Sequence, residues 1–160
     1  MNKDLIQKRF AKNLDTYNDN AKIQKKMAER LLSFLDRKDF DDILEIGCGT
    51  GFLTQLVNDK FNFKTYTAND IVESCEKYVK EINPEINFIP ADIEEAVENS
   101  DKKYDLIISN AAFQWVENLK SFIKLLVSKL NDGGILLFST FGPENFREVN
   151  FVLGKTLPYY

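Results

Sequence analysis

Apolar residues along this chain alternate between two periods. Through residue 38 they recur mostly at helical steps, as Leu5, Ile6 and Phe10 and then Ile23, Met27, Leu31, Leu32 and Leu35, which predicts two helices with a break near Tyr17-Asn18-Asp19-Asn20. Short apolar runs take over from there. Ile43-Leu44-Glu45-Ile46 runs into Gly47-Cys48-Gly49-Thr50-Gly51 and resumes as Phe52-Leu53-Thr54-Gln55-Leu56-Val57, a strand, a tight loop and a helix. Phe63 to Ala68 reads as a second strand ending at Asn69-Asp70, Ser74 to Ile82 as a helix stopped before Asn83-Pro84, and Ile86 to Ile89 as a third strand ending at Pro90-Ala91-Asp92. A helix over Ile93 to Asn99 precedes the fourth strand, Tyr104 to Ser109, which has the apolar run expected of a buried parallel strand. Leu119 to Leu130 has helical spacing and stops at a turn, Asn131-Asp132-Gly133-Gly134. Ile135 to Thr140 is then the fifth strand, and Glu144 to Leu153 the last helix.

This order predicts right-handed βαβ units, hence an α/β fold with a doubly wound, mostly parallel, Rossmann-like sheet. Residues 1–38 form a helical segment ahead of an α/β domain over 39–160. Ligands of such sheets lie beyond the carboxyl ends of the strands. Those ends carry Gly47 to Gly51, Asp70, Asp92 and Asn110, four strand ends aimed at one crevice.

Composition narrows the chemistry. With no histidine among 160 residues, a Ser-His-Asp triad, a Cys-His pair and a histidine-ligated metal are excluded, and no metal site is expected. A net charge of −4 gives no overall basic field for nucleic acid or an anionic membrane. Cys48 and Cys75 are too few for a disulfide framework and fit a reducing, cytoplasmic setting, and no apolar run is long enough to span a bilayer. The exception to the acidic balance is the N-terminal segment, where Lys8, Arg9, Lys12, Lys22, Lys25, Lys26 and Arg30 form either solvated helix faces or a local docking patch.

The glycine loop is a cofactor cradle, because glycine permits positive φ and removes the Cβ that would hold a ligand off the backbone. A dinucleotide fingerprint needs its third glycine or alanine where Phe52 stands. Instead the run Leu44-Glu45-Ile46-Gly47-Cys48-Gly49-Thr50-Gly51 resembles motif I of the class I S-adenosylmethionine-dependent methyltransferases. Asp70 is placed either to accept hydrogen bonds from both ribose hydroxyls or to cap the following helix. The resemblance implies that Asp92 accepts from the adenine amino group, although Asp92 is equally a cap for the helix at Ile93, and that Ile71 and Ile93 sandwich the ring. Cys48 reads as a small loop residue. Glu45, inside an apolar strand, requires a partner such as the cofactor's ammonium group or nearby N–H groups.

A narrower resemblance extends over nearly the whole chain, to the malonyl-acyl carrier protein O-methyltransferases of biotin synthesis. It rests on Arg9-Phe10-Ala11 with Tyr17 and Gln24, on Ser109-Asn110-Ala111-Ala112-Phe113-Gln114-Trp115, and on Leu136-Leu137-Phe138-Ser139-Thr140-Phe141-Gly142 leading to Asn145-Phe146-Arg147-Glu148. Asn110-Ala111-Ala112-Phe113 lacks both prolines of the Asn-Pro-Pro-Phe/Tyr signature of amide and base methylation. The resemblance implies methyl transfer from S-adenosylmethionine to the free carboxylate of a malonyl thioester, borne by acyl carrier protein or coenzyme A. That ester disguises the charge so that fatty-acid enzymes can elongate the chain. It further implies an N-terminal helical lid over the cofactor that includes Tyr17 and Gln24, an acceptor wall of Phe113 and Trp115, and Arg147 as a clamp on the malonyl carboxylate. Ordinary core packing for the aromatics and a solvated helix position for Arg147 are the competing readings. Methyltransferases of this class place two more strands after the fifth, so the chain is expected to stop short of the sheet's last two strands.

Overall fold

The computed structural model describes Lys8 and residues 21–142. In chain order it contains α1 (Lys22–Leu32), β1 (Asp39–Ile46), α2 (Phe52–Lys60), β2 (Asn62–Asp70), a short 3-10 turn leading into α3 (Glu76–Ile82), β3 (Asn87–Pro90), α4 (Ile93–Glu98), β4 (Tyr104–Asn110), a 3-10 turn over Phe113–Trp115, α5 (Leu119–Ser128) and β5 (Leu130–Ser139). The strands form one sheet in the order β3-β2-β1-β4-β5, and every neighbouring pair is parallel. The predicted doubly wound architecture is therefore present. Chain direction across the sheet reverses between β1 and β4, the place where such sheets open a crevice for ligands.

Strand alternation builds the two layers. Ile43 of β1 and Leu106 and Ile108 of β4 belong to one core, shared with Ala28, Leu31 and Leu32 of α1, Leu53 and Val57 of α2 and Val79 of α3. Leu44, Ile46 and Ile107 point the other way, into a second core with Val97 of α4 and Phe122 and Leu126 of α5. Burial on both faces explains why consecutive apolar residues occur at Ile43-Leu44 of β1 and Leu106-Ile107-Ile108 of β4. Helix α1 thus packs into the same core as the strands it precedes. Asp105 adds a polar staple at the opposite end of the sheet: its carboxylate accepts from the N–H groups of Asp41 and Asp42 and from the Asn131 side chain, tying β4 to β1 and β5.

One boundary differs from the sequence expectation. Helix α5 ends at Ser128, and Asn131–Gly134, read as a turn, lies inside β5. Register jumps there from Tyr104↔Leu130 to Leu106↔Ile135, so the glycine pair forms a bulge. Gly133 supplies φ +74, and Gly134 comes so close to the carbonyl oxygens of Asn131 and Tyr104 that a Cβ would meet them at 2.9 and 3.0 Å. The turn chemistry was read correctly and its context was not. Among the described residues no helix is long and apolar enough to cross a membrane. The predicted first helix with Arg9 and Tyr17, and the last helix with Arg147, lie outside the described residues.

Candidate cofactor site

Beyond the carboxyl ends of β1, β2, β3 and β4 lies a cavity of about 160 Å³. Gly47 and Gly49 from the loop after β1, Asp70 from β2, Asp92 from the segment after β3 and Asn110 from β4 all line it, so the four strand ends do meet in one crevice. Ile71 and Ile93 are on its wall, as are Phe113 and Trp115.

The glycine loop is positioned from below. The N–H groups of Gly47 and Cys48 both donate to the carbonyl of Asn69, at 2.9 and 3.0 Å, and the Gly49 N–H donates to the Asp70 carboxylate at 2.9 Å. Gly47, Gly49 and Gly51 all take positive φ, but they serve different ends. A Cβ on Gly49 would meet nothing within 4 Å, so its face opens toward ligand space. On Gly51 a Cβ would come within 2.6 Å of Ile82 Cδ1, which makes this glycine a packing residue between α2 and α3. Gly51 does not line the cavity that Gly47 and Gly49 share.

Asp70 ends β2 with its carboxylate shared between the Gly49 N–H and the Val72 N–H, each at 2.9 Å. Burial raises its pKa, and the N–H groups of Val72 and Gly49 oppose that shift by favouring the charged form. The Ile71 backbone and the Cys75 side chain also hydrogen-bond this carboxylate, and the residue lines the cavity. The capping and ligand readings of this residue are therefore compatible. The same holds for Asp92, whose side chain caps α4 through the Glu94 N–H at 3.0 Å while still lining the cavity.

Among the described residues Glu45 is partnered by hydroxyls rather than by N–H groups. It is fully buried beneath the loop, where one carboxylate oxygen accepts from the hydroxyls of Thr54, at 2.7 Å, and Tyr66, at 2.6 Å, while the other has no partner among the described residues. Burial pushes its pKa up to about 7, against the lowering effect of the two hydroxyls. Glu45 thus joins β1, α2 and β2 inside the core rather than facing the cavity. Cys48 is buried as well, and burial pushes its thiol well above the usual range, which keeps it protonated and fits a small loop residue.

Phe113 serves both of its readings. Its ring is fully buried, stacked on Phe138 with centroids 4.6 Å apart and edge-on to Phe122 at 5.3 Å, and it also forms part of the cavity wall. Trp115 is half-buried on the same wall. Gln24 meets the strand-four end through its backbone: its carbonyl accepts from Asn110 Nδ2 at 3.0 Å, and Asn110 Oδ1 in turn accepts from the Ser139 hydroxyl. Sequence reasoning missed two supporting residues. Asn69 donates from its buried side chain to the carbonyls of Ile89 and Ala91, fastening the segment after β3. Ala111 adopts φ +53, a strained value for a residue with a Cβ, and is held there because its N–H donates to Ser139 and its carbonyl accepts from Gln114. The asparagine at a strand end was visible in the sequence. Nothing local marks an alanine for positive φ.

The model of the methyltransferase domain family matches residues 20–151. The chain belongs to the methyltransferase domain family. Among curated relatives of this methyltransferase domain, the malonyl-acyl-carrier-protein O-methyltransferase of Acetivibrio thermocellus is 44% identical over 155 residues, covering 94% of this chain and 54% of that protein. The protein of the same name from Priestia megaterium is 44% identical over 157 residues, covering 94% and 56%. The domain thus spans about half the length of the curated relatives it matches. A solved S-adenosylmethionine-dependent methyltransferase from Clostridium acetobutylicum superposes with a TM-score of 0.68 at 23% identity, over 89% of this chain and 60% of that one. An N-methyltransferase from Bradyrhizobium japonicum, solved with S-adenosyl-L-homocysteine, gives 0.62 at 22% identity, over 79% and 64%. These structures share the fold.

Proposed function

We propose that this domain is the cofactor-binding portion of an S-adenosylmethionine-dependent O-methyltransferase that esterifies the free carboxylate of a malonyl thioester carried on acyl carrier protein, in biotin synthesis. The observation that carries this reading is 44% identity, across 94% of the chain, to relatives of that name. The residues of the cavity suit the cofactor. Gly49 leaves open the space a side chain would fill, Asp70 and Asp92 line the cavity as carboxylate acceptors suited to ribose hydroxyls and an adenine amino group, and Ile71 and Ile93 offer apolar faces to the ring. When bound, S-adenosylmethionine supplies an electrophilic methyl group on a sulfonium centre.

What remains for the chain is positioning and exclusion of water. A carboxylate acceptor is ionised at neutral pH and nucleophilic without a general base, which suits a sequence with no histidine. Phe113 and Trp115 present an aromatic wall against which such an acceptor is desolvated. Tyr17 as part of a lid and Arg147 as a carboxylate clamp belong to the same proposal, on the strength of the family resemblance. Lys22, Lys26 and Arg30 are exposed at four-residue steps on α1, a basic stripe suited to steering an acidic carrier protein. The two unpaired cysteines accord with a cytoplasmic setting.

Two measurements test the reading. Titration with S-adenosylmethionine should show saturable binding, and its absence would remove the cofactor assignment. The complete gene product should then form methyl ester on malonyl-acyl carrier protein, faster than on malonyl-coenzyme A. Binding without ester on either thioester would leave a methyltransferase domain for another acceptor.

A further inference from the structure

The segment that follows β4 holds its shape against the preference of its own residues. Ala111 sits at φ +53, and Ala112 packs on Gly47 with no room for a methyl group between them. One side of Ala111 is fixed by its N–H, which donates to the carbonyl and the hydroxyl of Ser139, both at 3.1 Å. The other side is fixed by Gln114, whose side-chain amide donates to the Ala111 carbonyl at 2.6 Å. Gln114 is buried and does not line the cavity, although Ala111, Ala112, Phe113, Trp115 and Val116 around it all do. Its Oε1 has no hydrogen-bond partner among the described residues.

A buried amide that makes one bond and leaves its oxygen unmet is a poor stabiliser, because the unmet acceptor costs at least as much as the bond contributes. What the bond does instead is hold a left-handed alanine, a conformation that persists only where its surroundings over-determine it. Phe113 is held separately, by its contacts with Phe122 and Phe138, so the part of the wall that depends on this bond is Trp115, the residue next to Gln114. From this geometry we infer that Gln114 is a positioning residue: by tethering the Ala111 carbonyl it sets where Trp115 stands relative to the glycine loop, and so where the methyl acceptor lies relative to the donor. The consequence for the acceptor rests on the proposed function; the tether does not. In-line transfer is sensitive to such a shift, since a misplacement of about 1 Å can cost about 100-fold in rate.

The test uses Gln114→Met, which keeps the length of the side chain and deletes both the donor and the unmet oxygen. Trp115 is the single tryptophan of the sequence, so its fluorescence reports on the wall without any substrate. In Gln114→Met its emission should shift to the red and quench more readily with acrylamide, while the thermal midpoint is unchanged or raised. On the complete gene product, kcat/KM for malonyl-acyl carrier protein should fall about tenfold or more while affinity for S-adenosyl-L-homocysteine changes less than about twofold. Ala111→Gly supplies the second arm. Glycine takes φ +53 without strain, so in that background the Gln114→Met loss should shrink to about threefold or less. Unchanged Trp115 fluorescence with unchanged kcat/KM, or a loss of the same size in both backgrounds, would overturn the assignment. So would a lower thermal midpoint with an equal loss of cofactor affinity, which marks a residue that only supports the fold. If the unsubstituted enzyme forms no ester on a malonyl thioester, the proposed function fails. The fluorescence arm then decides the tether alone: a more quenchable Trp115 upholds it and an unchanged one overturns it.

Discussion

Gly47 and Ala112 approach so closely that a methyl group on Gly47 would stand 2.5 Å from the Ala112 Cβ, while the same group on Gly49 would touch nothing within 4 Å. One loop therefore holds a glycine packed against the fold and a glycine with open space at its Cβ position. Both have positive φ, +70 and +54, so alanine is strained at either by roughly 1–2 kcal/mol. Gly47→Ala adds an overpacking term and should lose about 2–5 kcal/mol in urea melts. Gly49→Ala should lose only the backbone term yet weaken S-adenosyl-L-homocysteine by about tenfold or more in calorimetric titration. Similar stability losses for the two variants would count against this division.

Asp70 supports the same loop from the side. Its carboxylate accepts the N–H groups of Gly49 and Val72, one on each oxygen, and is also hydrogen-bonded by the Ile71 backbone and the Cys75 side chain. Asparagine has one acceptor oxygen, so Asp70→Asn turns an amide donor toward one of those N–H groups and leaves it unsatisfied, at a cost of roughly 1–3 kcal/mol. It also removes the charged acceptor facing the cavity. Stability should fall in urea melts, and affinity for 5′-methylthioadenosine, which retains both ribose hydroxyls, should fall at least about tenfold. A variant that melts early but binds normally would reduce Asp70 to a structural role.

Glu45 gives the protein a pH dependence of unusual sign. Its folded-state pKa is raised from 4.5 to about 7, with burial the first cause, so the folded state holds a proton the unfolded state has released. Stability from this group is complete below pH 4.5, declines as pH rises toward about 7, and levels off above. Between pH 5 and 8 the loss should be roughly 2–3 kcal/mol. Asp70 is shifted in the same direction by burial, so the diagnostic measurement is a difference between proteins. Urea melts at pH 5 and pH 8 should show a drop in the unsubstituted protein that Glu45→Gln removes in large part. An equal drop in both would mean that Glu45 is not the group responsible.

Much of this organisation was legible in the sequence because it is local. The apolar runs of β1 and β4, the glycine spacing and the polar residues at strand ends each occupy a few consecutive positions, and parallel topology then brings the ends together without further information. The partners of Glu45 lie on α2 and β2, and which hydroxyls reach a buried carboxylate depends on packing across layers. Gly51 was hidden for the same reason, since its neighbour Ile82 belongs to α3. At Asn131–Gly134 the local signal was real, but a positive-φ glycine serves a strand bulge as well as a helix stop, and only the pairing of β5 with β4 decides between them.

Asn69 is a junction for which backbone and side chain can be tested separately. Its carbonyl takes the N–H groups of Gly47 and Cys48, whereas its side chain donates to the carbonyls of Ile89 and Ala91. Asn69→Ala deletes only the second set. The half-buried Ala91 carbonyl then loses this donor and the Ile89 carbonyl keeps the Ala91 N–H, so stability should fall by roughly 1–3 kcal/mol. The segment after β3, which carries Asp92 and Ile93, should loosen. In hydrogen exchange the Ala91 and Glu94 amides should lose protection relative to the unsubstituted protein, while those of Gly47 and Cys48 keep theirs because the Asn69 carbonyl is unchanged. Uniform loss of protection would instead indicate global destabilisation, and would deny Asn69 a specific hold on the segment after β3.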